Sequence, residues 1–374
     1  MPPIRKNAKS KAPSAVQPKI SPSISEMAFS TYWERFYFHH FLHWTAKQLL
    51  SSLDTSNFWI RHAFPLAHDC KAIRYSMVAV GASHRLFMTR SAGHVKPWEL
   101  ERLAIHQYNK AISVIMPSMS ADSVCNRHCI LICCLLFVSV EGLMGRSDDL
   151  VRHLRSGNQL LSSSLNDVTP DYTEASNFCG KNVVSGVSQW YQVNANPNIV
   201  SACPFRDLDE ASYELQRLGV VEPTTLGEKR RVIIHKNFDI WNSRFEAMSC
   251  VKLSAQSNSQ LCNLRLGQEF WKLTNAVLTG DGPISNPSLF HDFMAAATSA
   301  AEPLIAMNQP TFSLDGDLIL GLNFVAALAI GPEVADVKTW ALDLLRRLDR
   351  REGVWDSRDV VKLYELMEAA DEEI

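Results

Sequence analysis

The stretch Cys129 to Val140, CILICCLLFVSV, is followed by Glu141-Gly142 and then by a polar amphipathic segment that ends in His153-Leu154-Arg155-Ser156-Gly157. The apolar run is too long for an ordinary strand and too short to cross a bilayer, which needs about 20 apolar residues, so it reads as a buried helix. Cys125 to Leu161 as a whole reads as two packed helices with a join at Glu141-Gly142. Nothing in this stretch carries a recognisable chemistry. Cys125, Cys129 and Cys133 recur every fourth residue and share one helix face, with His128 close by. A zinc site would draw its ligands from a Cys-x-x-Cys knuckle and a second element, whereas reduced cysteine commonly packs as a small hydrophobe. The core reading is therefore preferred.

Working outward, the helical period continues almost everywhere from Ser25. Tyr32, Trp33, Phe36, Tyr37 and Phe41 line one side of a first helix, and Asn57 to Ile60 opens a short one that should end near Pro65. Lys71 to Met88 alternates bulky residues with Ala79, Gly81 and Ala82, an invitation to close helix packing. Pro97 suits the first turn of the next helix, whose Leu103, Ala104, Tyr108, Ala111, Ile112 and Ile115 follow helical spacing. The region near 167–226, rich in Pro, Asn and Ser, reads as irregular connection, and Lys181 to Val187 is the best strand candidate in it. Helical stripes resume over 231–253, 261–278, 289–307, 314–330, 334–348 and 359–370. The expectation is an all-α fold, a multi-helix bundle of stacked antiparallel helix pairs spanning residues 26–374.

Residues 1–25 differ in kind. Arg5, Lys6, Lys9, Lys11 and Lys19 meet no acidic residue before Glu26, and five prolines break any helix, so a disordered basic tail is expected. Arg5, Lys6, Lys9 and Lys11 are candidates for a nuclear import signal. Over all 374 residues the chain is 46% hydrophobic and 20% charged with a formal net charge of −2, a balance without global attraction to nucleic acid or membrane. Subtracting the five cations of the tail leaves about −7 on the rest. Nine cysteines, most of them among apolar neighbours, with no secretory signal at the start, suggest reduced thiols in an intracellular compartment.

The sequence lacks Gly-x-Gly-x-x-Gly, the phosphate-binding Gly-x-x-x-x-Gly-Lys-Ser/Thr, Gly-x-Ser-x-Gly and His-Glu-x-x-His, which removes the usual anchors of nucleotide-binding, hydrolase and zinc-protease readings. His39, His40 and His43 lie a helical turn apart in pairs and could clamp a metal, but amid Phe36, Phe38, Phe41 and Trp44 aromatic packing is the simpler role. Asp148-Asp149 and the acidic end, Asp371 to Glu373, read as solvated charge near helix ends. No catalytic, cofactor-binding or metal-ligating residue is assigned, and the chain is not expected to be an enzyme.

Phe58-Trp59 ahead of Pro65, Ala72-Ile73-Arg74 through Ala79-Val80-Gly81-Ala82-Ser83-His84, and then Tyr108-Asn109-Lys110-Ala111 stand in an order that resembles the regulatory domain of fungal zinc-cluster transcription factors. The apolar run through Phe137 and Glu141, followed by His153 and Gly157, is similar to the same family. Arg350-Arg351-Glu352-Gly353-Val354-Trp355-Asp356-Ser357 resembles its closing motif: an arginine-rich helix end, a Glu-Gly turn, and a Trp-Asp that opens the final helix with Asp356 or Ser357 as N-cap. The likeness extends over about residues 28 to 372. On it, Trp59 and Trp355 are anchors, Gly81 and Gly157 are close-approach or cap positions, and Arg351 and Glu352 are surface charges.

The resemblance implies a nuclear transcription regulator that acts by binding, without a cofactor, and that controls a metabolic or secondary-metabolite gene set. Such regulators carry an N-terminal module whose six cysteines hold two zinc ions and set a helix in the DNA major groove. Here the first cysteine is Cys70, already in a helical context, so no zinc-cluster residue carries over. Direct sequence-specific DNA binding is not expected from this chain alone. The implied partners are a DNA-binding zinc-cluster factor and a small-molecule inducer, with no membrane. Two alternatives stand beside this reading: a zinc cluster encoded upstream and missing from the gene model, and a helical enzyme acting on a lipophilic metabolite through His39, His43 or Glu141.

Overall fold

The structure, a computed structural model, describes residues 29–49, 59, 63–90, 97–117, 124–164, 204–218, 227–248, 255–279 and 286–372. The basic tail and the strand candidate at 181–187 lie outside the described residues. Among the described residues the fold is all-α with one small sheet.

Helix α1 (Tyr32–His40) is capped by Thr31, whose hydroxyl accepts from Glu34 N, and it runs on through a π turn, Phe41–Thr45. A short helix α2 (Phe64–Asp69) and the long α3 (Lys71–Met88) follow, then α4 (Pro97–Ile115), α5 (Val124–Met144) and α6 (Ser147–Ser164). Pro65 lies in the first turn of α2, so it opens a helix there and does not close one, consistent with its fixed φ and missing N–H. Every residue of α5 from Cys129 to Leu143 is buried, because a helix apolar on all sides must be wrapped on all sides. α6 instead buries one stripe among its described side chains, through Leu150, Leu154 and Gly157.

The join differs from the one expected. α5 passes through Glu141 and Gly142 and stops at Met144, where Gly145 takes a left-handed φ of 74°. Gly145 N donates to Gly142 O and Arg146 N to Glu141 O, the paired bonds that satisfy the last carbonyls of a helix. Only Gly145 and Arg146 separate α5 from α6, and so short a link sends α6 back antiparallel along α5. Gly157 lies inside α6 as a buried contact residue, not a cap. Gly81 does mark a close approach: a Cβ there would stand 2.1 Å from Tyr37 O of α1.

The first helix shows why an aromatic helix is hard to orient from sequence. Tyr37, Phe38 and Phe41 are buried, while Tyr32, Trp33 and Phe36 face outward, so the expected five-residue stripe is split. One contiguous core is built from α1 to α6 and takes in Phe312 and Leu314 from far along the chain.

The second half opens with α7 (Leu208–Arg217), a regular helix inside the stretch expected to be irregular. Asp207 caps it, accepting from Glu210 N at 2.8 Å, and Glu210 reaches back to Arg206 N. α7, α8 (Gly227–Glu246) and α9 (Ala255–Thr279) share a small core around Trp241, whose indole donates to Ala211 O at 2.8 Å. α9 also packs with α10 (Ser288–Ala306), α11 (Leu318–Leu328), α12 (Ala335–Arg347) and α13 (Ser357–Glu372) around a third core.

Three short strands interrupt the helices: β1 (Thr311–Ser313), β2 (Arg350–Glu352) and β3 (Trp355–Asp356). β1 runs parallel to β2 with Phe312 opposite Arg351, and β2 runs antiparallel to β3 with Arg351 opposite Asp356. The closing motif is therefore a hairpin: Arg350 and Arg351 lie in a strand and not at a helix end, while the expected Glu-Gly turn stands, with Gly353 at a φ of 54°, and Trp355-Asp356 leads directly into α13. Its N-cap expectation holds: Asp356 Oδ1 accepts from Arg358 N at 3.0 Å in the first turn of α13.

Candidate functional site

In β2 the side chains alternate, so Arg350 and Glu352 point to one face of the sheet and Arg351 to the other. Each face builds a different polar structure, and together they clasp the two halves of the molecule.

On the first face Arg350 Nε donates to Glu352 Oε1 at 2.6 Å, with both side chains almost fully buried. Glu352 Oε2 accepts from Ile319 N at 3.0 Å, which places a carboxylate at the positive N-terminal end of α11. Ser313 Oγ donates to Asp315 Oδ1 at 2.6 Å. Asp317 completes the group. Burial first, and then the neighbouring charges of Glu352 and Asp315, push its carboxyl up to about 7. Asp315, Asp317, Arg350 and Glu352 line one side of a cavity of about 70 Å³, whose other lining is Leu215, Leu264, Leu266, Leu304 and Leu318 together with Asn263.

On the second face Arg351 Nε meets Asp356 Oδ2 at 2.8 Å, and its Nη1 donates to the carbonyls of Leu143 at 3.0 Å and Gly142 at 3.3 Å. A guanidinium thus closes the C-terminal end of α5, adding a second donor to Gly142 O and a donor to Leu143 O where the helix dipole favours a cation. Arg90, just beyond α3, donates to Asp349 Oδ1 and Asp356 Oδ2, each at 2.7 Å, and Arg358 Nη2 reaches Asp349 Oδ2 at 2.7 Å. Phe87 lies beneath this layer with the Arg90 guanidinium 4.0 Å and the Arg351 guanidinium 5.5 Å from its ring centre. Arg351 and Glu352, read from the sequence as surface charges, are the two centres of the clasp. Glu352 is 3% exposed, because a neighbouring strand, a helix N-terminus and Arg350 together satisfy it.

A second polar group sits where α4, α5 and α6 meet. Tyr108 OH lies 2.6 Å from His153 Nε2, and the Phe137 ring packs against both. Glu141 is buried beside Tyr108, with Arg146 at 3.7 Å. Burial raises the Glu141 carboxyl, offset in part by the Tyr108 hydrogen bond, and burial followed by Glu141 raises the Tyr108 phenol. Tyr108, Phe137, Glu141 and His153, scattered over 46 positions of the quoted motifs, are thus one packed unit.

The histidines divide. His39 and His43 stack on each other at 6.0 Å, half-buried and exposed respectively. His40 turns inward, with Nε2 at 3.1 Å from His84 Nδ1. The π turn brings Thr45 Oγ1 to 3.0 Å of the same nitrogen, and His84 Nε2 lies 3.3 Å from Gln48 Oε1, which also accepts from Phe312 N of β1. Burial depresses His84 to about 3 and His40 to about 4, so both are neutral and serve as hydrogen-bond links. Sequence reasoning passed over His84 as part of a motif, and no local signal marks it. Among the described residues no group of three His, Cys, Asp or Glu side chains is arranged to hold a metal.

Of the remaining candidates, Arg5, Lys6, Lys9 and Lys11 fall outside the described residues, as does the Cys125 side chain. Cys129 and Cys133 are buried in the first core, and Ser76 Oγ points to Cys133 Sγ at 3.9 Å. Trp59 is buried and Trp355 half-buried. No described helix is long and apolar enough to cross a membrane.

Residues 36–190 match the family described as the fungal specific transcription factor domain. The sequence reading carried the likeness to about residue 372, and the closing motif lies outside the matched span. Neither the curated proteins nor the solved structures gave a match. The matched family is a transcription factor domain, which supports a role like that of a transcription regulator.

Proposed function

We propose that this chain, whose residues 36–190 match the fungal specific transcription factor domain, is a regulator that acts by binding, in the nucleus, on a metabolic or secondary-metabolite gene set. The observation that carries the reading is the fate of the motif residues. Tyr108, Phe137, Glu141 and His153 hold three helices to one another, and Arg351 holds the hairpin to α5. These are devices for transmitting position between elements, not for making or breaking bonds.

In this reading an inducer or protein partner engages the helical body, its effect passes through the clasp, and DNA contact is supplied by a zinc-cluster partner. The basic residues Arg5, Lys6, Lys9 and Lys11 serve nuclear import. The test is to tag the protein, follow its location, and measure chromatin association and transcript levels with and without the gene. Nuclear, chromatin-associated protein whose loss changes a coherent transcript set supports the proposal. Exclusion from the nucleus together with unchanged transcripts overturns it. Mapping the transcript's 5′ end separates partner-borne DNA binding from a zinc cluster encoded upstream.

A further inference from the structure

We infer that two copies of this chain pair about a two-fold axis, with the outer aromatic face of α1 in each copy docked on the exposed apolar stripe of α13 in the other. The inference goes beyond the transcriptional reading and does not depend on it.

α1 is aromatic on both sides. Tyr37, Phe38 and Phe41 enter the core, while Tyr32, Trp33 and Phe36 stay exposed, Tyr32 to 70%. The outward rings are ordered among themselves: Tyr32 meets Trp33 edge-on at 5.2 Å and stacks on Phe36 at 6.2 Å. The same face continues at helical spacing through His39 and His43. Its edges carry one sign of charge. Arg35 and Lys47 are exposed, whereas Glu34, the one acidic residue between 29 and 49, is buried against Gln107 and Lys110. Aromatic side chains beside an arginine are the groups that most often carry the binding energy of a protein interface.

α13 offers the complement. Val360, Val361 and Tyr364 turn to the third core, and Leu363, Leu366 and Met367 form an outward stripe, with Leu366 60% exposed. Every residue over 365–370 is exposed, so the end of this helix stands clear of the body and is open to a helix approaching from outside. Residues 365–372 hold four acidic side chains and no basic one, and the negative end of the helix dipole adds to them. Glu365 and Glu368 meet Arg346 and Lys338 of α12 at 3.7 and 3.8 Å, surface pairs that contribute little and exchange readily.

An aromatic face with cationic edges and an aliphatic stripe with an acidic end match in chemistry, and one molecule carries both. Both are exposed in the folded chain, so neither covers the other within it. A second copy supplies each with its partner. One such contact alone would propagate head to tail, whereas a two-fold axis makes it twice and closes the assembly. Removing the six large side chains from water in both contacts gives on the order of 1,600 Å², the size of a standard interface, and a single contact falls short of it.

The test uses the full chain in sedimentation velocity from about 1 to 100 µM, where a dimer with a Kd on the order of micromolar is expected. Trp33→Glu and Leu366→Glu each set a charge in the middle of one face, at exposed positions where the fold is tolerant, and each should weaken the dimer about tenfold or more. Mixing the two variants is the decisive measurement. The mixed pair keeps one contact of unchanged α1 with unchanged α13 and places both substitutions in the other, so the mixture should associate more tightly than either variant alone. In the unmutated protein, carbodiimide coupling of isotopically light and heavy chains should join Lys47 of one copy to an acidic residue of α13 in the other, a result that stands even if a variant fails to fold. Several outcomes overturn the proposal: a monomer at about 100 µM, including one that sediments with phosphatidylserine vesicles instead; a dimer lost with one substitution and kept with the other, which means α1 on α1 or α13 on α13; growth into filaments; or no recovery on mixing.

Discussion

α5 and the clasp are both buried, and they are held in opposite ways. Around α5 the contacts are apolar and many: Leu131, Leu136, Phe137 and Val138 each touch neighbours that other aliphatic residues of similar volume would also fill. In the clasp the contacts are few and charged, and each group depends on its partner for its place in a low-dielectric interior. The difference teaches where this molecule is tolerant and where it is not. A change in the core costs in proportion to the volume removed, while a change in the clasp strands a charge.

The largest effect should follow Arg350→Ala, which leaves Glu352 buried without its cation. A loss of about 3–5 kcal/mol in chemical denaturation is expected, and a loss under 1 kcal/mol would abolish the distinction drawn above. Next comes Leu136→Ala at the centre of α5, costing about 3 kcal/mol within the usual span of roughly 2–5, while Leu136→Met should cost less than about 1.5. Equal costs for the two would mean that the core is as exacting as the clasp.

Asp317 gives a third test through pH. Its carboxyl is ordinarily near 3.8 and stands at about 7 in the folded chain. Below about pH 4 both states carry the proton; between 4 and 7 only the unfolded chain loses it, so stability falls as pH rises. Asp317→Asn should remove that slope and gain roughly 2 kcal/mol at pH 7.5, about half the full conversion, because the carboxyl opens to the cavity. Superimposable pH profiles for the two proteins would refute the assignment. The smallest effect belongs to Tyr108→Phe, about 1 kcal/mol, through lost hydrogen bonding to His153 and Glu141. A double-mutant cycle with His153→Ala should show coupling, and additivity would mean that the bond contributes nothing.

The same contrast explains what could be read in advance. The burial of α5 is written in its residue types, since no polar face exists to turn outward, and the helical period of α3 and α4 follows from spacing alone. The clasp is not local in that sense. Thr311 to Ser313 and Arg350 to Glu352 are too short for a period-2 signal, and arginine and glutamate are rarely fully buried unless paired. Arg351 meets Leu143 across 208 positions. The closing motif was recognised by resemblance, yet its charges were assigned to the surface because their partners lie in other segments. Cys129 and Cys133 were read as core and are buried, since a small apolar side chain on a helix apolar on all sides has nowhere else to go. The outward turn of Tyr32, Trp33 and Phe36 was missed for a related reason: a helix with aromatic residues on most sides gives no preferred face.

The reach of Arg351 also has a meaning in time. A chain is made from its N-terminus, at about 5–20 residues per second, and domains fold as they emerge. The segments of α1 to α6 would be free to collapse while the end of α5 at Gly142 and Leu143 still lacks its arginine. Arg351 follows roughly 10–40 s later at those speeds. For that interval the nascent protein is a half-closed body whose end of α5 is open to whatever the cell offers it, and the last strands to leave the ribosome determine when that window shuts.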